Sequence, residues 1–116
     1  MGRSGEGLIP ADEWVAVADV DELPDAEESM RIEIDHHPLA LFHLEDGIFA
    51  LDDICSHEFS RLSEGEIWGD VVFCPKHGSR FDIRSGAPKG LPAIKPVASY
   101  PVKVEDGKVY VKWHRR

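Results

Sequence analysis

Four side chains that commonly bind metals lie in two short segments of this 116-residue chain. The segments read Cys55-x-His57 and Cys74-x-x-His77, so each pairs one thiolate with one imidazole. The chain has 2 cysteines in total, which leaves none for a disulfide or a second thiolate site. Two thiolates and two imidazoles are a complete ligand set for a two-iron, two-sulfur cluster or for a tetrahedral zinc ion. The pattern therefore predicts one metal centre held by these four residues.

The two possible centres would do different chemistry. On a diiron cluster both thiolates would bind one iron and both imidazoles the other. Because neutral nitrogens replace negative sulfurs, the cluster would be easier to reduce than a four-thiolate cluster, with a potential of roughly −150 to +300 mV. A zinc ion at the same ligands would stabilise the fold and carry no electrons. The spacing alone leaves both readings open.

Charge and hydropathy exclude several classes of function. The net charge is −9, with 16 acidic and 2 basic residues in 1–58 and 6 acidic and 11 basic residues in 59–116. Such a chain is a poor nucleic-acid binder, although its acidic half could steer a basic protein partner. No apolar run approaches the ~20 residues that span a bilayer, and the first residues contain no secretory apolar segment. We expect a soluble cytoplasmic protein without membrane contact, whose thiols stay reduced.

The elements that must position the ligands are short strands separated by turns. Alternating or apolar runs predict strands at 14–17, 31–34, 37–44, 48–51, 71–73, 100–104 and 109–111, with at most a turn at 61–66. Asp46-Gly47 and Asp106-Gly107 predict tight hairpin turns with positive φ. This pattern indicates an all-β antiparallel sandwich or barrel. Cys55 and Cys74 each follow a strand end, so two neighbouring loops could close around one centre.

The chain is predicted to contain one domain. Residues 1–11 are rich in glycine and poor in apolar side chains, which predicts a flexible tail. Residues 12–116 then form a single domain, with the cluster-binding part at about 53–95.

The motifs resemble the Rieske iron–sulfur signature. The likeness extends to the segments 77–82, 90–92 and 100–111 and covers about residues 12–113. It implies a Rieske-type fold with a small cluster-binding subdomain made of two metal-ligating loops, and one 2Fe–2S cluster on Cys55, His57, Cys74 and His77. Within the family the chain is similar to the small ferredoxins of aromatic-ring-hydroxylating dioxygenase systems. That likeness implies a monomeric one-electron carrier, not an enzyme, between an NAD(P)H-dependent flavin reductase and a terminal oxygenase.

The chain departs from the respiratory members of that family in three ways. Ser60 and Lys76 stand where those members have a disulfide pair, and Phe81 stands where a tyrosine donates to a cluster sulfur. Ser79 remains and could donate to a bridging sulfide. Because fewer donors to sulfur disfavour the reduced state, we expect a potential near the low end of the range. The exposed His57 and His77 edge would dock partners inside a ring formed by Glu58, Phe59, Lys76 and Pro92, with Arg80 also flanking the cluster.

Three alternatives compete with this interpretation. Usual zinc sites pair like ligands within a segment, whereas each segment here mixes Cys with His, which disfavours a zinc-stabilised binding module. A small Rieske-like subunit of an assimilatory nitrite reductase stays open. A complete oxygenase would need a second iron site, for which the chain is too short. We expect His43 to be packed, His36, His37 and His114 to face solvent, and Trp14, Trp68 and Trp113 to serve packing.

Overall fold

The computed structural model of the chain describes residues 13–54, 60–75, 79–90 and 95–113. These residues form β-strands and two short 3-10 turns, Val20–Glu22 and Leu62–Glu64. The strands are β1 Glu13–Asp19, β2 Glu28–Ile34, β3 His37–Leu44, β4 Gly47–Asp52, β5 Ile67–Trp68, β6 Val71–Phe73, β7 Arg80–Asp82, β8 Pro88–Gly90, β9 Ser99–Tyr100, β10 Val102–Glu105 and β11 Lys108–Trp113. Within this part of the chain, no helix is long and apolar enough to span a bilayer. The predicted all-β fold is confirmed, whereas the predicted tail at 1–11 lies outside the described residues.

The strands form three antiparallel sheets. A first sheet has the order β1-β11-β10, a central sheet has the order β2-β3-β4-β9, and a small sheet has the order β5-β6-β7-β8. All the strand pairs are antiparallel, as expected when successive strands are joined by short turns. The small sheet falls within the residues 53–95 predicted to bind the cluster. That subdomain boundary and the limits of the domain at 12–116 stay predictions.

Strand β3 is buried on both faces. Leu39 and Leu41 belong to one apolar core, together with Val109 and Val111 of the first sheet. Ala40, Phe42 and Leu44 alternate with them and belong to a second core that includes Val72 and Phe81 of the small sheet. Successive side chains of a strand point to opposite faces, so the central sheet separates the two cores. This explains why the sequence from 38 to 44 reads as an almost continuous apolar run.

The turns show which predictions from sequence hold in detail. Asp106 and Gly107 have φ of 51° and 77°, as the predicted tight turn between β10 and β11 requires. At the hairpin between β3 and β4, Leu44 pairs with Gly47, so the loop consists of residues 45–46. The Asp46-Gly47 pair therefore lies one position later relative to the loop than predicted.

Pro101 divides the segment predicted as one strand at 100–104. Tyr100 pairs with Ala50 of the central sheet, whereas Val102 pairs with Val111 of the first sheet. Proline has no N–H to donate to a sheet, so the chain changes sheets at this residue. The carbonyl of Pro101 still accepts from the N–H of Lys112 at 2.9 Å. At Pro101 the chain thus passes from the central sheet, whose strand β4 leads to Cys55, to the first sheet.

Candidate metal centre

The two described ends of the second ligand segment, which follows β6, are joined to each other. Cys74 follows Phe73 directly and is 1% exposed. Its backbone N–H donates to the carbonyl of Ser79 at 2.6 Å. We call residues 74–79 the second loop; within it His77 lies outside the described residues. The thiol of Cys74 therefore sits at the base of a loop whose two ends are hydrogen-bonded to each other.

Ser79 carries a buried hydroxyl that suits a sulfide acceptor. Its side chain is 0% exposed, and among the described residues its Oγ has no hydrogen-bond partner. A buried hydroxyl without a partner costs about 1–3 kcal/mol, so native proteins rarely leave one unmet. An inorganic sulfide of a cluster bound to Cys74 would supply an acceptor on the inner side of the loop. The buried thiol and this hydroxyl therefore fit an iron–sulfur group.

The residue at position 81 cannot supply a second hydroxyl. Phe81 is fully buried in the same core as Cys74 and Val72. Its ring can exclude water from the base of the second loop but can donate no hydrogen bond. The expectation of fewer donors to sulfur than in the respiratory proteins stays a prediction.

The chain on either side of the first ligand segment is also joined. We call residues 55–59 the first loop; Cys55 and His57 lie within it and outside the described residues. Ile54, before the loop, forms an isolated β-bridge with Arg61 after it. The N–H of Leu62 donates to the carbonyl of Asp53 at 2.7 Å, and the N–H of Ser63 donates to Asp53 Oδ1 at 2.8 Å. The residues before the first loop are therefore hydrogen-bonded to the residues after it.

The bases of the two loops lie side by side. The N–H of Phe73, which precedes the second loop, donates to the carbonyl of Glu66 at 2.9 Å. Between the loops, Gly65 passes so close to this strand that a Cβ on it would lie 1.9 Å from the carbonyl oxygen of Phe73. Leu62 is buried in the same core as Cys74. The chain leaving the first loop therefore packs along the strand that enters the second, as expected of two loops that share one centre.

Two acidic residues before the first loop were not among the predicted site residues. Asp52 Oδ1 accepts from the hydroxyl of Tyr100 at 2.7 Å and lies 2.8 Å from Nε2 of His37. The ring of His37 also lies 5.3 Å from that of Trp113, so the assignment of His37 to solvent is wrong. Asp53 is 0% exposed. In the sequence, the acidic pair at the end of an apolar strand indicates a buried acid, because alternation turns one of two adjacent side chains inward.

The other predicted histidines and tryptophans have mixed outcomes. His36 is exposed as expected, and His43 is packed, with Nδ1 2.8 Å from the carbonyl oxygen of Pro24. Trp113 lies in the core, whereas Trp68 is 65% exposed and contacts the ring of Phe73 edge-on, so Trp68 is not a core residue. Arg80 is exposed in β7. The remaining residues of the predicted docking ring, and His114, lie outside the described residues: Glu58, Phe59, Lys76 and Pro92.

Arg84 joins the small sheet to the central sheet. Its guanidinium contacts Asp46 at 2.8 Å, in the turn between β3 and β4, and Asp70 at 3.1 Å, in the turn between β5 and β6. The hydrogen bond from Arg84 holds the pKa of Asp46 below its ordinary value of 3.8, and both carboxylates raise the pKa of Arg84. The guanidinium also lies 4.9 Å from the centre of the Phe49 ring. These contacts join exposed turns of the two sheets, where ion pairs contribute little to stability.

Comparison with known proteins points to an iron–sulfur centre, as the residues around Cys74 do. The family model of the Rieske [2Fe-2S] domain matches residues 13–101. The anthranilate 1,2-dioxygenase ferredoxin subunit of Burkholderia cepacia is 41% identical over 99 residues, which are 85% of this chain and 91% of that protein. A chain in the solved complex of reduced oxygenase and oxidized ferredoxin in carbazole 1,9a-dioxygenase has a TM-score of 0.81 and 31% identity, with 90% of this chain and 97% of that chain covered.

A third likeness shows the same domain inside a larger protein. Dicamba monooxygenase has a TM-score of 0.78 and 32% identity over 91% of this chain, but the match covers 34% of that chain. The fold is thus shared with longer proteins, while the near-full-length likeness is to ferredoxins. Together with the closed loop at Cys74 and the domain match over most of the sequence, these findings establish that the chain belongs to the Rieske [2Fe-2S] domain family.

Proposed function

We propose that this protein is a one-electron carrier of an aromatic-ring-hydroxylating dioxygenase system. One 2Fe–2S cluster would be held by Cys55 and Cys74 on one iron and by His57 and His77 on the other. When bound, the cluster supplies one reversible electron between its two oxidation states. The protein then has no substrate chemistry of its own and acts as a component that moves charge between other proteins.

The observation that carries this proposal is the geometry around Cys74. The thiol is buried, its loop is closed by Ser79, and the chain leaving the first loop packs against the strand that precedes it. A metal group bound here would be held on one side by a rigid base. Hydrogen-bonded loop ends suit electron transfer, because a centre that changes charge without moving its ligands needs little reorganisation.

The chain's own residues would perform three tasks. The apolar side chains around the second loop, including Phe81 and Leu62, exclude water from the sulfur side of the cluster. The hydroxyl of Ser79 would donate to a sulfide and stabilise the reduced state. The imidazoles of His57 and His77 would orient the other iron toward the surface, where a partner can approach.

We infer the partners from the named relatives. The anthranilate and carbazole proteins are components of dioxygenase systems, and one of the structures holds a ferredoxin with an oxygenase. A terminal oxygenase would accept the electron from this carrier, and an NAD(P)H-dependent flavin reductase would supply it. We expect a monomer that acts in the cytoplasm, where thiols stay reduced, and brief contacts with both partners.

A visible spectrum of the purified protein tests the proposal. We expect a brown protein with equal amounts of iron and acid-labile sulfide, whose colour bleaches on addition of dithionite. Reoxidation in air should restore the spectrum. Colourless protein with stoichiometric zinc, or no iron after anaerobic reconstitution, would overturn the assignment of the cluster and with it the function.

Delivery of electrons tests the partners separately. Protein reduced in the absence of oxygen should be reoxidised on rapid mixing with a terminal Rieske oxygenase, and oxidised protein should be reduced by a flavin reductase and NADH. A protein that binds the cluster but exchanges electrons with neither class of partner would contradict the proposed role and leave the cofactor assignment intact.

A further inference from the structure

Asp53 makes three hydrogen bonds that join it to β3 and to the chain after the first loop. Its backbone N–H donates to the carbonyl of Pro38 at 3.2 Å, and its own carbonyl accepts from Leu62 at 2.7 Å. Its side-chain Oδ1 accepts from the N–H of Ser63 at 2.8 Å. Asp53 is thus hydrogen-bonded both to β3 and to the chain that leaves the first loop.

The carboxylate of Asp53 is buried and faces a cation. The residue is 0% exposed, and its Oδ2 lies 3.3 Å from Nε of Arg31 in β2. That contact does not have hydrogen-bond geometry, so Oδ2 is held by charge attraction and has no hydrogen bond within the described residues. Burying a carboxylate costs free energy unless it is paired, and here Arg31 supplies the opposite charge.

A second contact ties the same point to β2. The hydroxyl of Ser29, which lies two residues before Arg31 in the sequence, donates to the carbonyl of Ser63 at 2.8 Å. Residues 29 and 31 share one face of β2, because side chains two apart in a strand point the same way. One face of an otherwise ordinary strand therefore holds both the carboxylate before the loop and the backbone after it.

We propose that Asp53 is a positioning residue for the first ligand loop, with Arg31 fixing it to the central sheet. By joining the chain at 53 to the chain at 62–63, the carboxylate sets the separation and direction of the two ends of residues 55–59. We expect Cys55 and His57 to be held near the second loop before the cluster binds. This inference rests on the proposed function only in taking 55–59 as a ligand loop.

The rate of iron loss to a chelator tests the role of Asp53. Outer residues that orient metal ligands typically change metal affinity by about 10-fold to 100-fold when they are replaced. We expect Asp53→Ala to lose its iron about 10 times faster than the wild type or more. Asp53→Asn keeps an acceptor for the N–H of Ser63 but loses the charge opposite Arg31, so its rate should lie between the two.

Asp46→Ala provides a matched control. Asp46 also pairs with an arginine, at 2.8 Å from Arg84, but it lies in the turn between β3 and β4 and not beside a ligand loop. We expect this variant to lose iron at the wild-type rate. Equal acceleration in both variants would mean that any lost ion pair loosens the cluster, and it would overturn the specific role of Asp53.

The electron paramagnetic resonance spectrum of the reduced protein separates positioning from general stability. A loop held in the wrong direction should change the g values or broaden the lines in Asp53→Ala, whereas a folded protein that is merely less stable keeps the wild-type spectrum. Should Asp53→Ala fail to fold, Asp53→Asn and Arg31→Met give the same comparison. Wild-type iron release and a wild-type spectrum in the foldable variants would overturn the inference.

The outcome is distinguishable from failure of the proposed function. If the wild type binds no iron and no sulfide, the cluster assignment itself is wrong. If the wild type carries the cluster and the Asp53 variants behave as the Asp46 control does, only the positioning role fails.

Discussion

The backbone N–H of Cys74 and the carbonyl of Ser79 lie 2.6 Å apart, and this hydrogen bond places a buried thiol and a buried hydroxyl at the two ends of one turn. This backbone hydrogen bond therefore fixes the residue that carries the donor relative to the residue that carries the thiol. The contribution of Ser79 to the cluster should be measurable as a change in reduction potential.

Replacing Ser79 with alanine should lower the potential. The hydroxyl has no partner among the described residues, so its removal should not break another bond. One hydrogen bond that favours the reduced state, at about 1 kcal/mol, corresponds to roughly 40 mV for one electron. A spectroelectrochemical titration measures this shift. Ser85→Ala is the control, since its hydroxyl donates within its own turn to Asp82 at 2.8 Å; an equal shift in both would refute a specific bond from Ser79.

Replacing His77 with cysteine should keep a cluster but lower its potential. A negative thiolate in place of a neutral imidazole disfavours the added electron, and clusters with four thiolates lie near −400 mV. We expect a decrease of about 100 mV or more. His43→Cys provides the comparison, because His43 is packed against Pro24 and is not a predicted ligand. An unchanged potential in the first variant would count against His77 as a ligand.

Two glycines with similar backbone angles should differ in their tolerance of alanine. Gly86 has φ of 81° and Gly107 has φ of 77°, but a Cβ at Gly86 would lie 2.1 Å from the carbonyl oxygen of Val97, while nothing lies within 4 Å at Gly107. The backbone conformation alone costs an alanine about 1–2 kcal/mol. At Gly86 the overlap adds roughly 1–3 kcal/mol. Thermal unfolding at one scan rate should rank wild type above Gly107→Ala and Gly107→Ala above Gly86→Ala; equal midpoints for the two variants would contradict the steric argument.

The ion pair between Lys108 and Asp19 should stabilise the fold in a defined pH range. The hydrogen bond to Asp19, at 2.9 Å, raises the pKa of Lys108 above its ordinary value of 10.5. Because the folded state holds the proton more tightly, this stabilisation is complete below pH 10.5 and is lost as the pH rises through the higher value.

Asp19→Asn should remove that dependence. The difference in free energy of unfolding between the wild type and Asp19→Asn should be constant from neutral pH to about pH 9 and should decrease above pH 10.5. Urea unfolding at several pH values measures it. Since both side chains are about half exposed, 0.5 M salt should reduce the difference. A difference that increases with pH would show that another group is responsible.

The predictability of the fold from sequence varied with the length of the pattern. Strands of six or more residues with clear alternation, such as β11, were found where expected, because their burial pattern extends over several side chains. The strand β6 has three residues and was found because all of them are apolar, whereas β7 and β8, also three residues each, mix polar with apolar side chains and show neither a period nor an apolar run. The break at Pro101 was missed because both sides of it are apolar and alternate normally.

The ligand residues and their supports differ in how they can be recognised. Cys and His at fixed spacing carry their chemistry in their identity, and only Cys74 of the four lies in the described residues. Strand alternation indicates that one of the two acids before the first loop points inward, but the sequence does not show what Asp53 contacts, because Arg31 is far from it in sequence and Ser63 contacts it through the backbone. His37 was misassigned for the same reason, because its partner Asp52 comes from another strand.

The two-sided burial of β3 bears on how the cofactor is acquired. Among the described residues, the core on one face of this strand joins it to β11 and includes no predicted ligand, while the core on the other face includes Cys74. We therefore expect the packing between β3 and β11 to form without contacts to the cluster. The cluster would then be inserted into a partly folded protein. A carrier whose cluster has been destroyed by oxygen could bind a new one without being synthesised again.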